Sequence, residues 1–165
     1  MSSNRDETTR RARWRESFAN FLENVKNNFD YVLLDCNPNL GMLTINALAA
    51  ANTVIIPVST QLWSASGLNA LLQTILKVKK MINRELDIEG VLLTQTHENT
   101  ILDREMVDIV NNTFGSTIKI FDTSIPYTTK IGMANKKSTS IIDYDKNSKA
   151  AHAFIDFASE LMNLA

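Results

Sequence analysis

The run Tyr31-Val32-Leu33-Leu34, closed by Asp35, constrains this chain more than any other stretch. It is too short for a helix and lacks the polar alternation of a strand with one wet face, so it predicts a strand buried on both faces of a parallel sheet. Asp35 then stands at the carboxyl end of that strand, where open α/β sheets bind ligands, and a Cys36-Asn37-Pro38-Asn39 turn follows. The residues leave two roles open for Asp35. It can hold the water shell of a phosphate-bound divalent cation, or it can end the strand and cap the next helix.

Further apolar runs alternate with helical spacing. Thr53 to Val58, Ile88 to Thr94, and Ile118 to Ile125 broken by Pro126 read as strands. Trp14, Phe18, Phe21, Leu22 and Val25 mark an amphipathic helix over Arg10 to Asn27. Met42 to Ala51 and Ser66 to Asn83 read as two more helices, the second with Leu68, Leu71, Leu72, Ile75, Leu76 and Ile82 on one face. Thr100 or Asp103 starts another, ending at Phe114-Gly115, and a loop after Pro126 leads to a last helix from Asn147 to Leu164. This β-α order predicts an α/β fold, a mostly parallel sheet with flanking crossover helices. At 165 residues, 44% hydrophobic, with no internal repeat or linker, the chain reads as one domain over 1–165, with polar Met1 to Thr9 disordered.

Several chemistries are excluded by what the residues lack. None of the five glycines is followed by Lys and no two lie close together, so there is neither a phosphate-cradling Gly-Lys loop nor a dinucleotide fingerprint. His97, His152 and the single Cys36 are too scattered for a metal cluster, and one cysteine forms no internal disulfide and suits a reducing cytoplasm. The most apolar stretch, Met42 to Val58, is interrupted by Thr44, Asn46, Asn52, Thr53 and Pro57, which predicts no membrane span. A net charge of -1 leaves nucleic-acid binding to a local patch. The best one runs from Pro126 to Lys149, with Lys130, Lys136, Lys137, Lys146 and Lys149 against Asp143 and Asp145.

Six blocks together resemble a known family: Phe29 to Cys36, Leu43 to Leu48, Val54 to Val58, Ile88 to Thr94, Ile125-Pro126, and Asp143-Tyr144-Asp145 with Ser148 and Ala150. In this order and spacing they are similar to the carboxyl-terminal two-thirds of a ParA/Soj-type partition ATPase, in the deviant-Walker P-loop group that includes MinD. The resemblance implies a P-loop NTPase-like fold without its first strand, P-loop and second strand. ATP and Mg²⁺ are the family's cofactors, and Asp35 matches the Asp that holds Mg²⁺ through water. Asn37 falls in the switch that follows, usually Cys-Pro-Pro. Pro126 and Tyr127 match a segment lying against the adenine, and Gln95 and Thr96 follow the strand bordering the same pocket. Lys130 falls where the family carries a DNA-contacting Arg, so Lys130, Lys136 and Lys137 become the implied contacts to non-specific DNA. Met133-Ala134-Asn135-Lys136 departs from the family's Glu-Ala-Pro-Ser.

The missing strand is the one against which Tyr31 to Leu34 would pair, and each backbone group left unsatisfied at a buried edge costs about 1 to 3 kcal/mol. The chain is then a truncated or split product, a fragment, or a protein that borrows the missing elements from a partner. The resemblance implies a cytoplasmic, nucleoid-associated role in chromosome or plasmid segregation, with a ParB-like partner, a homodimer or a complementing amino-terminal chain, and negligible ATP hydrolysis by this chain alone. The alternative is a nucleotide-independent module docking on a ParB-like partner or a full-length ParA. A MinD-like membrane role is disfavoured, because Asn147 to Ala165 carries only Lys149 against Asp156 and Glu160.

Overall fold

A computed structural model describes residues 18, 20–22, 24–37, 39–60, 65–97 and 101–163. The expectations for Met1 to Thr9, for most of the first helix and for Pro38 lie outside them. The chain divides into two compact units, one reaching Val54 and resuming over Ala65–Asp87, the other comprising Ile55–Ser64 and Ile88–Ala165.

In the first unit, helix α1 (Met42–Ala50) follows the turn after Asp35. Buried Thr44 ties the two together, its hydroxyl donating to the Asn39 carbonyl at 2.7 Å and lying 3.3 Å from that of Asn37. The last carbonyls of an α-helix have no partner inside it. Here Asn83 Nδ2 supplies one, donating to Leu48 and Ala51 carbonyls at 3.1 and 2.7 Å from beyond helix α2 (Ala65–Met81).

One expectation fails in this unit. Tyr31 to Leu34 is not a buried strand: residues 31–37 carry no regular structure, and Tyr31, Val32 and Leu33 are exposed. Strand geometry persists only where a neighbour accepts its hydrogen bonds, and among the described residues none lies alongside.

The second unit holds most of a three-stranded parallel sheet in the order β1 (Thr53–Ser59), β2 (Asp87–Thr96), β3 (Ile125–Pro126). The central strand is buried where the apolar run predicts it: Gly90, Val91, Leu92 and Leu93 are all inaccessible. Helix α3 (Ile101–Phe114) leads back towards the sheet. The last strand is shorter than Ile118 to Ile125. Val91 bridges Ile120, and regular pairing resumes only at Thr94 with Ile125 and Thr96 with Pro126. Between those points Glu160 intercepts the backbone, its carboxylate accepting from the N–H groups of Asp122 and Thr123, each at 3.0 Å.

The loop expected after Pro126 is instead two short helices, α4 (Thr129–Lys136) and α5 (Ile141–Tyr144), ahead of α6 (Lys149–Met162). Each starts on a side-chain cap: Thr128 accepts from the Lys130 N–H, Ser140 from that of Asp143, and Ser148 from that of Ala151. Ala134, Ala150 and Ala151 are small enough to pack these helices closely with Ile141. Leu92, Phe121 and Ile125 form a second cluster with Ile55, Phe157 and Leu161.

Candidate functional site

The carboxyl ends of β2 and β3 open into a cleft of about 630 Å³ lined by Thr96, His97, Pro126, Tyr127, Lys130 and the start of α6 at Ser148 and Lys149. Sheet register builds it. Thr96 stands opposite Pro126, and the Tyr127 N–H donates to the Thr96 carbonyl at 2.9 Å, so the next residues of both strands emerge side by side. Those residues are His97 and Tyr127, stacked at 5.0 Å between centroids and 24° between planes. His97 reads from the sequence as a surface or helix-face residue rather than a ligand. The signal that places it in the site is that it follows one strand end as Tyr127 follows the other.

Gln95 adopts φ 57°, a left-handed conformation uncommon outside glycine, and it sits at the register irregularity between Thr94 and Thr96. The bulge turns Gln95 away from the cleft. Its Oε1 accepts from Ser59 at 2.6 Å, and its carbonyl accepts from Thr60 Oγ1 at 3.2 Å. Of the four residues expected to border a base in this unit, Thr96, Pro126 and Tyr127 line the cleft, and Gln95 braces its edge from behind.

Charge in the cleft is already partly neutralised. Lys130 Nζ donates to Asp145 Oδ2 at 2.6 Å, which raises the lysine above its ordinary value and holds the carboxyl below the usual carboxylate range. Lys137 lies one face-repeat further along, with Nζ 4.9 Å from the centroid of Tyr144, and Lys136 is exposed. Lys130 thus lines the cleft, whereas Lys136 and Lys137 lie past it at the end of α4.

Asp35 and Asn37 belong to the first unit and do not line this cleft. Both are exposed, and the Asn37 carbonyl is the one near Thr44. Burial, aided by the Asp35 carboxylate, raises the pKa of the Cys36 thiol, so this residue stays protonated near neutral pH.

Comparison with known proteins fixes the family. The family described as an AAA domain matches residues 1–88. The sporulation initiation inhibitor protein Soj of Bacillus subtilis is 41% identical over 140 residues, and the chromosome-partitioning ATPase Soj of Treponema pallidum is 38% identical over 141. The chain belongs to the ParA/Soj-type AAA-domain family. The two Soj matches cover 85% and 86% of this ParA/Soj-type chain but 54% and 55% of the relatives, so it spans about half the length of the curated relatives it matches. Among solved structures, cobyrinic acid a,c-diamide synthase from Mycobacterium smegmatis with bound ATP analog and magnesium superposes with a TM-score of 0.76 at 28% identity. The match covers 90% of this chain and 53% of that one. The expected P-loop NTPase-like α/β architecture is therefore present. Among the described residues no helix is long and apolar enough to cross a membrane.

Proposed function

We propose that this ParA/Soj-type chain serves DNA partition as the base-binding and DNA-contacting portion of a P-loop ATPase, with the ATP phosphates held by elements outside its 165 residues. The cleft beside Tyr127 carries this reading. Its volume lies in the range of small-molecule sites, with one aromatic wall, a proline and a lysine, which suits a flat heteroaromatic base bearing an anionic tail. The ParA/Soj-type relatives are named as partition proteins and ATPases, which supports the same role.

Magnesium, when bound, neutralises charge on transferring phosphates. Among the described residues no cluster of three or more His, Cys, Asp or Glu is placed to cage the cation. Asp35 fits a narrower task, a single exposed carboxylate touching the ion through water, which is how Mg²⁺ is commonly held beside a nucleotide. Asn37, fixed in its turn through Thr44, flanks that carboxylate. With no Gly-Lys loop in the sequence, hydrolysis by the chain alone is negligible.

Duplex DNA meets Lys136 and Lys137 first, and Lys130 joins once Asp145 releases it. Binding is weak, independent of sequence and lost with rising salt. A ParB-like partner and nucleoid association in the cytoplasm follow from the partition role.

Calorimetric titration with adenosine, ADP and ATP in Mg²⁺ tests the cleft. The base supplies the recognition, so all three bind within about tenfold of one another, and Tyr127→Ala weakens each several-fold. Tight ATP binding with none for adenosine contradicts the reading. No binding of any of the three leaves the nucleotide-independent docking module in its place.

A further inference from the structure

The two carboxylates between Pro126 and Lys149 are used differently. Asp143 stays within its own helix, where Oδ2 accepts from the Ser140 hydroxyl at 2.7 Å and the backbone N–H donates back to that oxygen at 3.0 Å. Asp145 reaches across to another helix. Its Oδ2 takes the Lys130 ammonium at 2.6 Å, closer than Asp87 holds Lys79 at 3.0 Å or Glu160 holds Lys119 at 3.6 Å.

The backbone on both sides of this pair is fixed. The Asp145 N–H donates to the Ile141 carbonyl at 2.9 Å, and its carbonyl accepts from both the N–H and the hydroxyl of Ser148, at 3.0 and 2.7 Å. The Asn147 N–H adds a bond to the carboxylate. Ser148 is also the cap of α6, so the turn that opens this cleft-lining helix is what aims Asp145 at Lys130. Lys130 starts from a capped turn as well, its N–H donating to Thr128 Oγ1 at 3.2 Å.

Such a pair masks the lysine without locking it. An ammonium bonded to a carboxylate presents little net charge to an incoming anion, and a phosphate that takes it exchanges one anionic partner for another. Yet the lysine side chain is 51% exposed and the aspartate 29%, and exposed ion pairs are weak enough to be exchanged. We propose that Asp145 occupies the place of a phosphate on Lys130 and thereby sets how strongly this site responds to phosphate, whether of duplex DNA or of a nucleotide tail in the cleft. Asp145 acts through Lys130 and not by touching a ligand, which makes it a positioning residue. The inference rests on the reading of Lys130 as a phosphate contact and adds the residue that regulates it.

Asp145→Asn tests the masking, because the amide keeps an acceptor for the Asn147 N–H while removing the charge. With a short fluorescent duplex at a series of salt concentrations, binding should strengthen about threefold or more at low salt, and the slope of log affinity against log salt should steepen by about 0.9, the mark of one added phosphate contact. In a Lys130→Gln background that steepening should be absent. In calorimetric titrations the same substitution should raise the affinity for ADP relative to adenosine by about threefold or more, again only with Lys130 present. Asp145→Ser, which also leaves an acceptor in the turn, should behave as Asp145→Asn does, with circular dichroism unchanged in both. A gain in one arm supports the proposal with that source of phosphate, and a gain in both supports it with both. No gain in either arm overturns it, as does an equal gain without Lys130, which would reflect the loss of a negative charge alone. Adenosine that binds none of these proteins removes the base reading of the cleft and leaves the DNA arm to decide the masking.

Discussion

Residues 30–34 and 90–94 have similar credentials as strands, each a run of apolar side chains next to an acidic residue and followed by a polar one. Residues 90–94 lie between two neighbours. The Val91 N–H donates to Lys119, its carbonyl accepts from Phe121, and its side chain is fully buried. Residues 30–34 make no backbone pair among the described residues, and Leu33 is the most exposed large apolar side chain there. Composition therefore states what a segment becomes once it has neighbours, and topology decides whether it has them.

Substitutions in the two regions should differ sharply in cost. The largest effect is expected beside the central strand. Phe121 is buried, packs edge-on against Phe157 at 4.9 Å between centroids, and clusters with Leu92 and Ile125. Phe121→Ala should cost about 3–5 kcal/mol in urea titrations. Next comes Gly90→Ala. An added Cβ would lie 2.8 Å from Phe121 Cε2 and 3.1 Å from the Lys119 carbonyl oxygen, and the buried ring has no room to retreat. The expected loss is about 1–3 kcal/mol, from overpacking.

Glu160 comes third, with a pH signature. Burial pushes its carboxyl up, but the Thr123 and Asp122 N–H groups, the Thr123 hydroxyl and Lys119 more than offset this and hold it below its ordinary value. A carboxyl depressed on folding contributes stability that is complete above its unfolded pKa and is lost as pH falls through the folded one. Glu160→Gln should therefore cost about 1–2 kcal/mol at pH 7 and almost nothing well below pH 4, by urea titration at each pH. The smallest effect belongs to the bare segment: Leu33→Ser in the isolated chain should stay within about 0.5 kcal/mol. A cost at Leu33 near that at Phe121 would break the contrast.

The elements of the second unit were largely legible because their signals are local. Continuous apolar runs and helical patterning locate β1, β2, α3 and α6, and the block around Gly90 carries the close approach of Phe121. The two short helices between Pro126 and Ser148 went unread although Thr128, and Ser140 with Asp143 three residues on, are cap signals. What the sequence does not carry is geometry between distant residues. The ion pair of Lys130 with Asp145 joins two separate helices, and the stacking of His97 on Tyr127 depends on strand register. Nor does a glutamine announce the left-handed turn of Gln95, which moves one expected base contact out of the cleft. Residues 31–34 have the composition of a buried strand but not its structure, and the resemblance already places the strand they would pair with outside the matched blocks.

Hydrogen–deuterium exchange of the isolated 165-residue chain measures both segments in one sample. The amides of residues 91–94 should exchange at least about a thousandfold more slowly than those of residues 31–34, which should run near the unprotected rate. Comparable protection of the two segments would mean that residues 31–34 already have a strand beside them, and the contrast between paired and unpaired runs would be gone.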